Sequence, residues 1–246
     1  MGFFTFWCLM IIYFRACEKQ ETISYVDRYK YDSKTKILKK CWLSLQSGIS
    51  EDDKIIIIAD AVSESTIQFL IDTSNTKNIE IILVPKHAWE HHLHTVVLVD
   101  TLEKYSNQFP NELHYIVEDD YLHVPNAISI LKDNLKDCPY FALSYDYPDR
   151  YVKPELAMII IGSDRHWRTV SSSTMTVLAL GETWLKVIPA LKQAAPTSND
   201  KVFEAIYQNI ACISPIPALS SHMTKYHLSP LIDWETIYEN ISTEDY

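Results

Sequence analysis

Residues 54–60, KIIIIAD, set four consecutive isoleucines between a lysine and an aspartate. A continuous β-branched run bounded by polar residues is the pattern of a strand covered on both faces, as in a sheet flanked by helices. Upstream, Ile37, Leu38, Cys41, Trp42 and Leu45 recur at helical spacing and predict a helix over Lys34–Leu45, preceded by a first strand at about Cys8–Phe14. Downstream the spacing predicts a helix over Ser63–Ile71 and a second buried strand over Ile79–Val84, stopped by Pro85. A helix over Leu93–Tyr105 follows, then a strand over Leu113–Val117 that runs into Glu118-Asp119-Asp120. Strands alternating with helices imply an α/β fold with a mostly parallel central sheet, and such sheets bind ligands beyond the carboxyl ends of their strands. Asp60 and the Glu118–Asp120 run stand at such ends.

The second half is less regular. Pro125–Leu135 reads as a helix, Phe141–Ser144, Ala157–Gly162 and Ser171–Leu180 as strands, and Glu182–Ala194 and Asp200–Tyr207 as helices. A tail carrying Pro215, Pro217 and Pro230 closes the chain, and its proline content predicts a segment outside the core that wraps over a site. With no repeat and no low-complexity linker, the 246 residues read as one domain.

Composition excludes several classes. A formal net charge of −10 argues against nucleic acid as a partner, although a metal ion or a few basic side chains can hold a diphosphate locally. Four glycines leave no GxxxxGKS/T or GxGxxG loop, and the five cysteines, odd in number and without a CxxC pair, read as reduced core residues of a cytoplasmic protein. The apolar stretch Phe3–Phe14 lacks a basic n-region and a small-x-small cleavage site. It is too short to span a bilayer, so a buried strand is expected, with a membrane-peripheral anchor as the alternative.

The chemistry concentrates in YIVEDDYLHVP (Tyr115–Pro125), where an apolar strand ends in three adjacent carboxylates. Like charges side by side repel unless a cation compensates them, and oxygen ligands at a strand end suit Mn²⁺ or Mg²⁺ bound with a diphosphate. A solvated acidic turn is the alternative. HWRTV (His166–Val170) joins Trp167, able to stack on a sugar face, to Arg168, able to meet phosphate or acceptor; a packed tryptophan beside an exposed arginine is the bland account. His87, His91, His92 and His94 lack the frame of a zinc site, and one of them lining a nucleotide pocket is the better expectation.

Taken in order, the opening strand Met10–Arg15, KIIIIAD, YIVEDD, SND at Ser198–Asp200 and SSHMTKYHLSPLIDWE near the end resemble the GT-A glycosyltransferases, specifically the family-2-like enzymes of bacteria and large DNA viruses. The resemblance spans most of the chain. It implies a Rossmann-like nucleotide-sugar-binding half over about 1–122 and an acceptor half with the C-terminal tail over about 123–246. Arg15 and Asp60 would hold the nucleotide base, Glu118 would face the ribose with Asp119 beside it, and Asp120 would coordinate the metal bridging the diphosphate. Glutamate stands here where the family more often has a leading aspartate.

By the same resemblance Asp200 would be the general base of an inverting transfer, with Asp146 and Asp149 in reserve; read without it, Asp200 is a helix N-cap or first-turn acid. His222 would bind metal or phosphate, a lone surface histidine being the alternative. The implied partners are a UDP- or GDP-type sugar donor and a glycan or other hydroxyl acceptor, with no nucleic acid and no stable membrane span. The rivals are a nucleotidyltransferase, which would need a glycine-rich basic loop, and a non-catalytic carbohydrate-binding protein on the same fold.

Overall fold

The computed structural model describes residues 9–19, 28–85, 92–153, 156–162, 164–174 and 176–243. Cys8, His87 and His91 lie outside them. A central sheet runs through both halves of the chain. In its first half β1 (Met10–Cys17), β2 (Lys54–Asp60), β3 (Ile79–Leu83) and β4 (Leu113–Glu118) are parallel neighbours in the order β3-β2-β1-β4. Beyond β4 come β9 (Val177–Leu180), β6 (Phe141–Ala142), β10 (Cys212–Ile216), β8 (His166–Val170) and β7 (Ile159–Ile161), completing nine strands among the described residues. Only β9 and β8 run against the others, as their antiparallel pairings with β4 and β6, and with β10 and β7, require. The expected mixed α/β architecture, a large, mostly parallel sheet flanked by helices, is therefore present.

Alternate residues of the apolar strands feed two cores. Met10, Ile12, Phe14, Ile55 and Ile57 pack beneath α1 (Lys34–Gln46), α2 (Glu64–Asp72) and α4 (Ala127–Leu135). Ile11, Tyr13, Ile56 and Ile58 pack on the opposite face against α3 (Leu93–Gln108), α5 (Gly181–Ala194) and α6 (Val202–Tyr207). A period of two with both faces covered is why KIIIIAD carries no polar residue inside the strand. A third cluster joins α1 to α7 (Trp234–Glu239) and to a small antiparallel ribbon of β5 (Tyr121–His123) and β11 (Ser220–His222).

Four expectations change. β3 is an edge strand and only half-buried, so Ile79–Leu83 is not covered on both faces. HWRTV does not precede a strand but is one, β8, and the strand expected over Ser171–Leu180 is confined to Val177–Leu180. The proline-studded tail is core: β10 lies inside the sheet between β6 and β8, and Trp234 and Tyr238 are buried. Pro215 is tolerated because β6 pairs only with Cys212 and Ile213, leaving β10 an edge on that side by the time it reaches Pro215.

Two buried histidines tie these layers together. His114 Nε2 lies 2.9 Å from the Phe109 carbonyl oxygen, which can only accept, so Nε2 carries the proton and Nδ1 accepts from the Tyr13 hydroxyl at 2.9 Å. The approach is close enough that a Cβ on Gly181, at the start of α5, would lie 2.6 Å from the same carbonyl and 2.9 Å from His114 Nε2. His123 Nε2 meets the Tyr115 hydroxyl at 2.9 Å. Burial lowers the His114 pKa from 6.5 to about 4, against a partial offset from the Phe109 carbonyl, and lowers that of His123 to about 3. The unfolded chain takes up these protons near pH 6.5 while the fold excludes them. Stability is therefore full above pH 6.5 and is lost as the pH falls toward 4, by about 1.4 kcal/mol per pH unit for each histidine. Chemical denaturation of the wild type and His114→Gln at pH 7 and pH 5 measures this; a pH dependence that the substitution leaves unchanged would contradict it.

Candidate active site

The chain proceeds from β1 to β2 to β3 on one side and then returns to place β4 on the other side of β1, so the strand order switches between β1 and β4. Ligands of open α/β sheets bind in the crevice outside such a switch point. There the sheet register itself assembles the site: Arg15 on β1 is the partner of Glu118 on β4, and Cys17 is the partner of Asp60 on β2. A cavity of about 370 Å³ opens at these strand ends. Arg15, Asp60, Glu118, Asp119, Asp120 and His222 all line it.

Glu118, Asp119 and Asp120 are each met by a cation, Lys34 serving two of them. Arg15 Nη1 donates to Glu118 Oε1 at 2.8 Å. Lys34, in the first turn of α1, reaches Asp119 Oδ1 at 2.5 Å and Asp120 Oδ2 at 3.2 Å, and the Cys17 backbone N–H donates to Asp119 Oδ2 at 2.7 Å. His222 stacks on Tyr121, ring centroids 5.1 Å apart, and brings Nε2 to 3.5 Å from Asp120 Oδ2. It lines the cavity and does not stand alone on the surface. His94 also lines the cavity, with Nδ1 3.7 Å from Asp60 Oδ2.

The charges divide the acids. Burial would raise Asp120, but Lys34 and His222 outweigh it and hold its carboxyl well below the usual range. Burial raises Asp119 more than Lys34 lowers it, with the Asp120 charge adding to the rise, and burial raises Glu118 against the pull of Arg15. Burial lowers the His222 pKa, yet Asp120 outweighs it and the net shift is upward. Cys17 offers no thiolate at neutral pH, because burial pushes its thiol up to about 11.

Among the described residues no three His, Cys, Asp or Glu side chains gather as a metal-holding group. Asp120 and His222 nonetheless face one another as one oxygen and one nitrogen donor. An ion at this pair would take its remaining ligands from phosphate and water; the Asp120 carboxylate suits Mn²⁺ or Mg²⁺, whereas the His222 imidazole is a poor ligand for Mg²⁺.

Trp167, Arg168 and Asp200 stand outside the cavity lining, as does the reserve acid Asp146. Trp167 is 2% exposed and packed in the core beneath β8, where it cannot stack on a sugar. Arg168 donates from Nε and Nη2 to Asp146 Oδ1 at 3.1 and 2.5 Å, so it is neither exposed nor directed at phosphate. The same pair removes Asp146 as a reserve base, since that carboxylate is fully buried and also accepts from Tyr151 and Ser214. Asp200 precedes α6 in a turn, and no side-chain hydrogen bond caps that helix, so the capping account fails. Its carboxylate is near enough to Arg15 and Glu118 to feel both charges.

No family model and no curated protein matches the chain in sequence. Among solved structures it is similar to the galactosyltransferase LgtC, described in complex with donor and acceptor sugar analogues, at 12% identity and a TM-score of 0.44 over 83% of this chain and 73% of that one. So distant a likeness transfers no residue roles. Lys34 and Arg28, both lining the cavity, were not anticipated from sequence. Lys34 carried a signal: a lysine in the first turn of a helix opposes the helix dipole and needs another reason to be there.

Proposed function

We propose that the chain transfers a glycosyl group from a nucleoside-diphosphate sugar, of uridine or guanosine type, to a hydroxyl of a glycan or related acceptor. The observation that carries the reading is the cavity at the β1/β4 switch point, in which ionised Asp120 and His222 face each other beside a wall of lysine and arginine side chains. That combination suits a diphosphate in a protein whose overall charge would otherwise repel one. The Asp60 end, between β1 and β2, is left for the nucleoside, and Arg15 and Lys34 hold the carboxylates in fixed orientations rather than leaving them to water. A Mn²⁺ ion at Asp120 and His222 would neutralise charge on the departing diphosphate.

Titration with a panel of UDP- and GDP-sugars in the presence of Mn²⁺, followed by mass spectrometry of the products with simple glycan acceptors, tests the reading. Binding of no nucleotide sugar would overturn it. Release of pyrophosphate from a nucleoside triphosphate and a sugar phosphate would mark a nucleotidyltransferase instead, and donor binding without turnover a carbohydrate-binding protein.

Asp60 offers a narrower test. Its carboxyl is almost sealed, and burial raises its pKa against the opposing charges of Lys19 and Arg15, so an unmet hydrogen bond there is expensive. A hydrogen bond from base or ribose to such a group is worth about 1.5–3 kcal/mol, and Asp60→Ala is expected to weaken donor binding by about 10- to 100-fold with kcat at saturating donor unchanged. Unaltered donor affinity would remove Asp60 from the nucleoside site.

A further inference from the structure

The cations of the cavity are not equivalent. Arg15 is engaged by Glu118, and Lys34 by Asp119 and Asp120, so the charge of each is already answered within the chain. Arg28 lines the same cavity, but no carboxylate among the described residues pairs with it, and its Nη1 is sealed from solvent without a hydrogen-bond partner. A guanidinium is permanently charged and carries five donors in a rigid fork, and native proteins rarely leave such a donor buried and unmade.

Nor is Arg28 a loose surface side chain. Its backbone forms a β-bridge with Thr224, and the next residue, Tyr29, donates its N–H to the Met223 carbonyl at 3.2 Å. Tyr29 and Met223 are buried together with Ile37 and Cys41 of α1. This anchorage places Arg28 against the strand end that carries His222, two residues before Thr224, and hence beside the Asp120–His222 pair. Four carboxylates and four lysine or arginine side chains line the cavity. A multiply charged anion entering it must find a cation that those carboxylates have not already claimed.

We propose that Arg28 is an anion-binding residue of this cavity and that its guanidinium, claimed by no carboxylate among the described residues, receives the diphosphate of the nucleotide ligand. The identity of that ligand rests on the glycosyltransferase reading above; the anion site itself does not require a sugar. Planar, bidentate contact with phosphate oxygens matches the geometry that distinguishes arginine from lysine. Arg28 thereby discriminates a nucleoside diphosphate from the bare nucleoside, independently of any divalent ion.

Calorimetric titration of the wild-type chain, Arg28→Ala and Arg28→Lys with UDP, GDP, the bare nucleosides and inorganic pyrophosphate, each in Mn²⁺ and in EDTA, tests the assignment. Arg28→Ala is expected to weaken diphosphate and pyrophosphate binding by about 10- to 100-fold in both conditions, as loss of a charge-assisted hydrogen bond implies, and to leave nucleoside binding unchanged. Arg28→Lys keeps the charge without the fork and should recover part of the loss. Wild-type affinity of Arg28→Ala for UDP, GDP and pyrophosphate overturns the proposal while leaving the donor reading intact. Arg28-dependent pyrophosphate binding in a protein that binds no nucleotide sugar upholds the anion site and overturns the donor reading. Equal losses for nucleoside and diphosphate, with a lowered melting temperature, show that Arg28 only braces the fold and also overturn the proposal.

Discussion

Asp120→Asn is expected to reduce Mn²⁺-dependent donor binding by about 100-fold or more and to leave the protein folded. The size follows from the proposed role: losing an outer-shell partner of a metal already costs about 10- to 100-fold in affinity, and Asp120 would be a direct ligand. Folding should survive because the side chain stands at a strand end, where an asparagine oxygen can still accept from Lys34, 3.2 Å away. The backbone bond from Met223 N–H to the Asp120 carbonyl, 2.8 Å, does not involve the side chain. The substitution also removes a charge that Lys34 and His222 hold in the folded state, so a modest fall in melting temperature is expected. Calorimetry of donor binding with and without Mn²⁺, beside a thermal melt, reads both halves. Undiminished Mn²⁺-dependent binding would take Asp120 out of the metal site; a large fall in melting temperature would make it structural.

The parts of this molecule legible in the sequence are those with one dominant physical cause. KIIIIAD and Leu113–Val117 are strands because helices cover both faces, and their polar ends mark the sheet edge where Asp60 and Glu118 emerge. HWRTV was harder. His166 is exposed, Trp167 buried and Arg168 half-buried around the ion pair with Asp146, so charge hides the alternation of a strand whose polar residue is satisfied internally. Trp167 and Arg168 drew attention as sugar and phosphate contacts because aromatic and cationic groups also build binding sites; only the fold shows that both are spent on packing.

Glu118, Asp119 and Asp120 are contiguous in sequence and visible there, whereas two cations of the cavity come from segments that carry no such signal. Lys34 lies 85 residues before Asp119, and Arg28 is brought in by a bridge to Thr224. Pairings at that separation leave no periodicity to read. Asp146, named from sequence as a spare base, illustrates the converse: a carboxylate is a base only if it is free to take a proton, and this one is held by Arg168, Tyr151 and Ser214.

Asp200→Asn is expected to lower kcat by about 10²- to 10⁴-fold with donor affinity nearly unchanged, the loss typical of a general base. Asp200 stands in the turn before α6 with no capping duty, and although its side chain reaches solvent, the surrounding protein raises its carboxyl above the ordinary value while Arg15 draws it back. A raised carboxyl is the better proton acceptor near neutral pH. It lies within electrostatic reach of Arg15 and Glu118 rather than in the cavity lining, as suits a group that meets an acceptor arriving from solvent. The pH profile separates this role from a bystander's. A base must be ionised, so wild-type kcat should fall as the pH drops through the Asp200 pKa, and that acidic limb should vanish in Asp200→Asn, which has no proton to lose. A remote effect through Glu118 would act differently: removing the Asp200 charge relieves a repulsion, lowers the Glu118 pKa and shifts the limb without abolishing it. Near-normal turnover in a folded, donor-binding Asp200→Asn protein would dismiss Asp200 and leave Asp149 as the remaining acid of the reserve pair, or point to a retaining transfer that needs no such base.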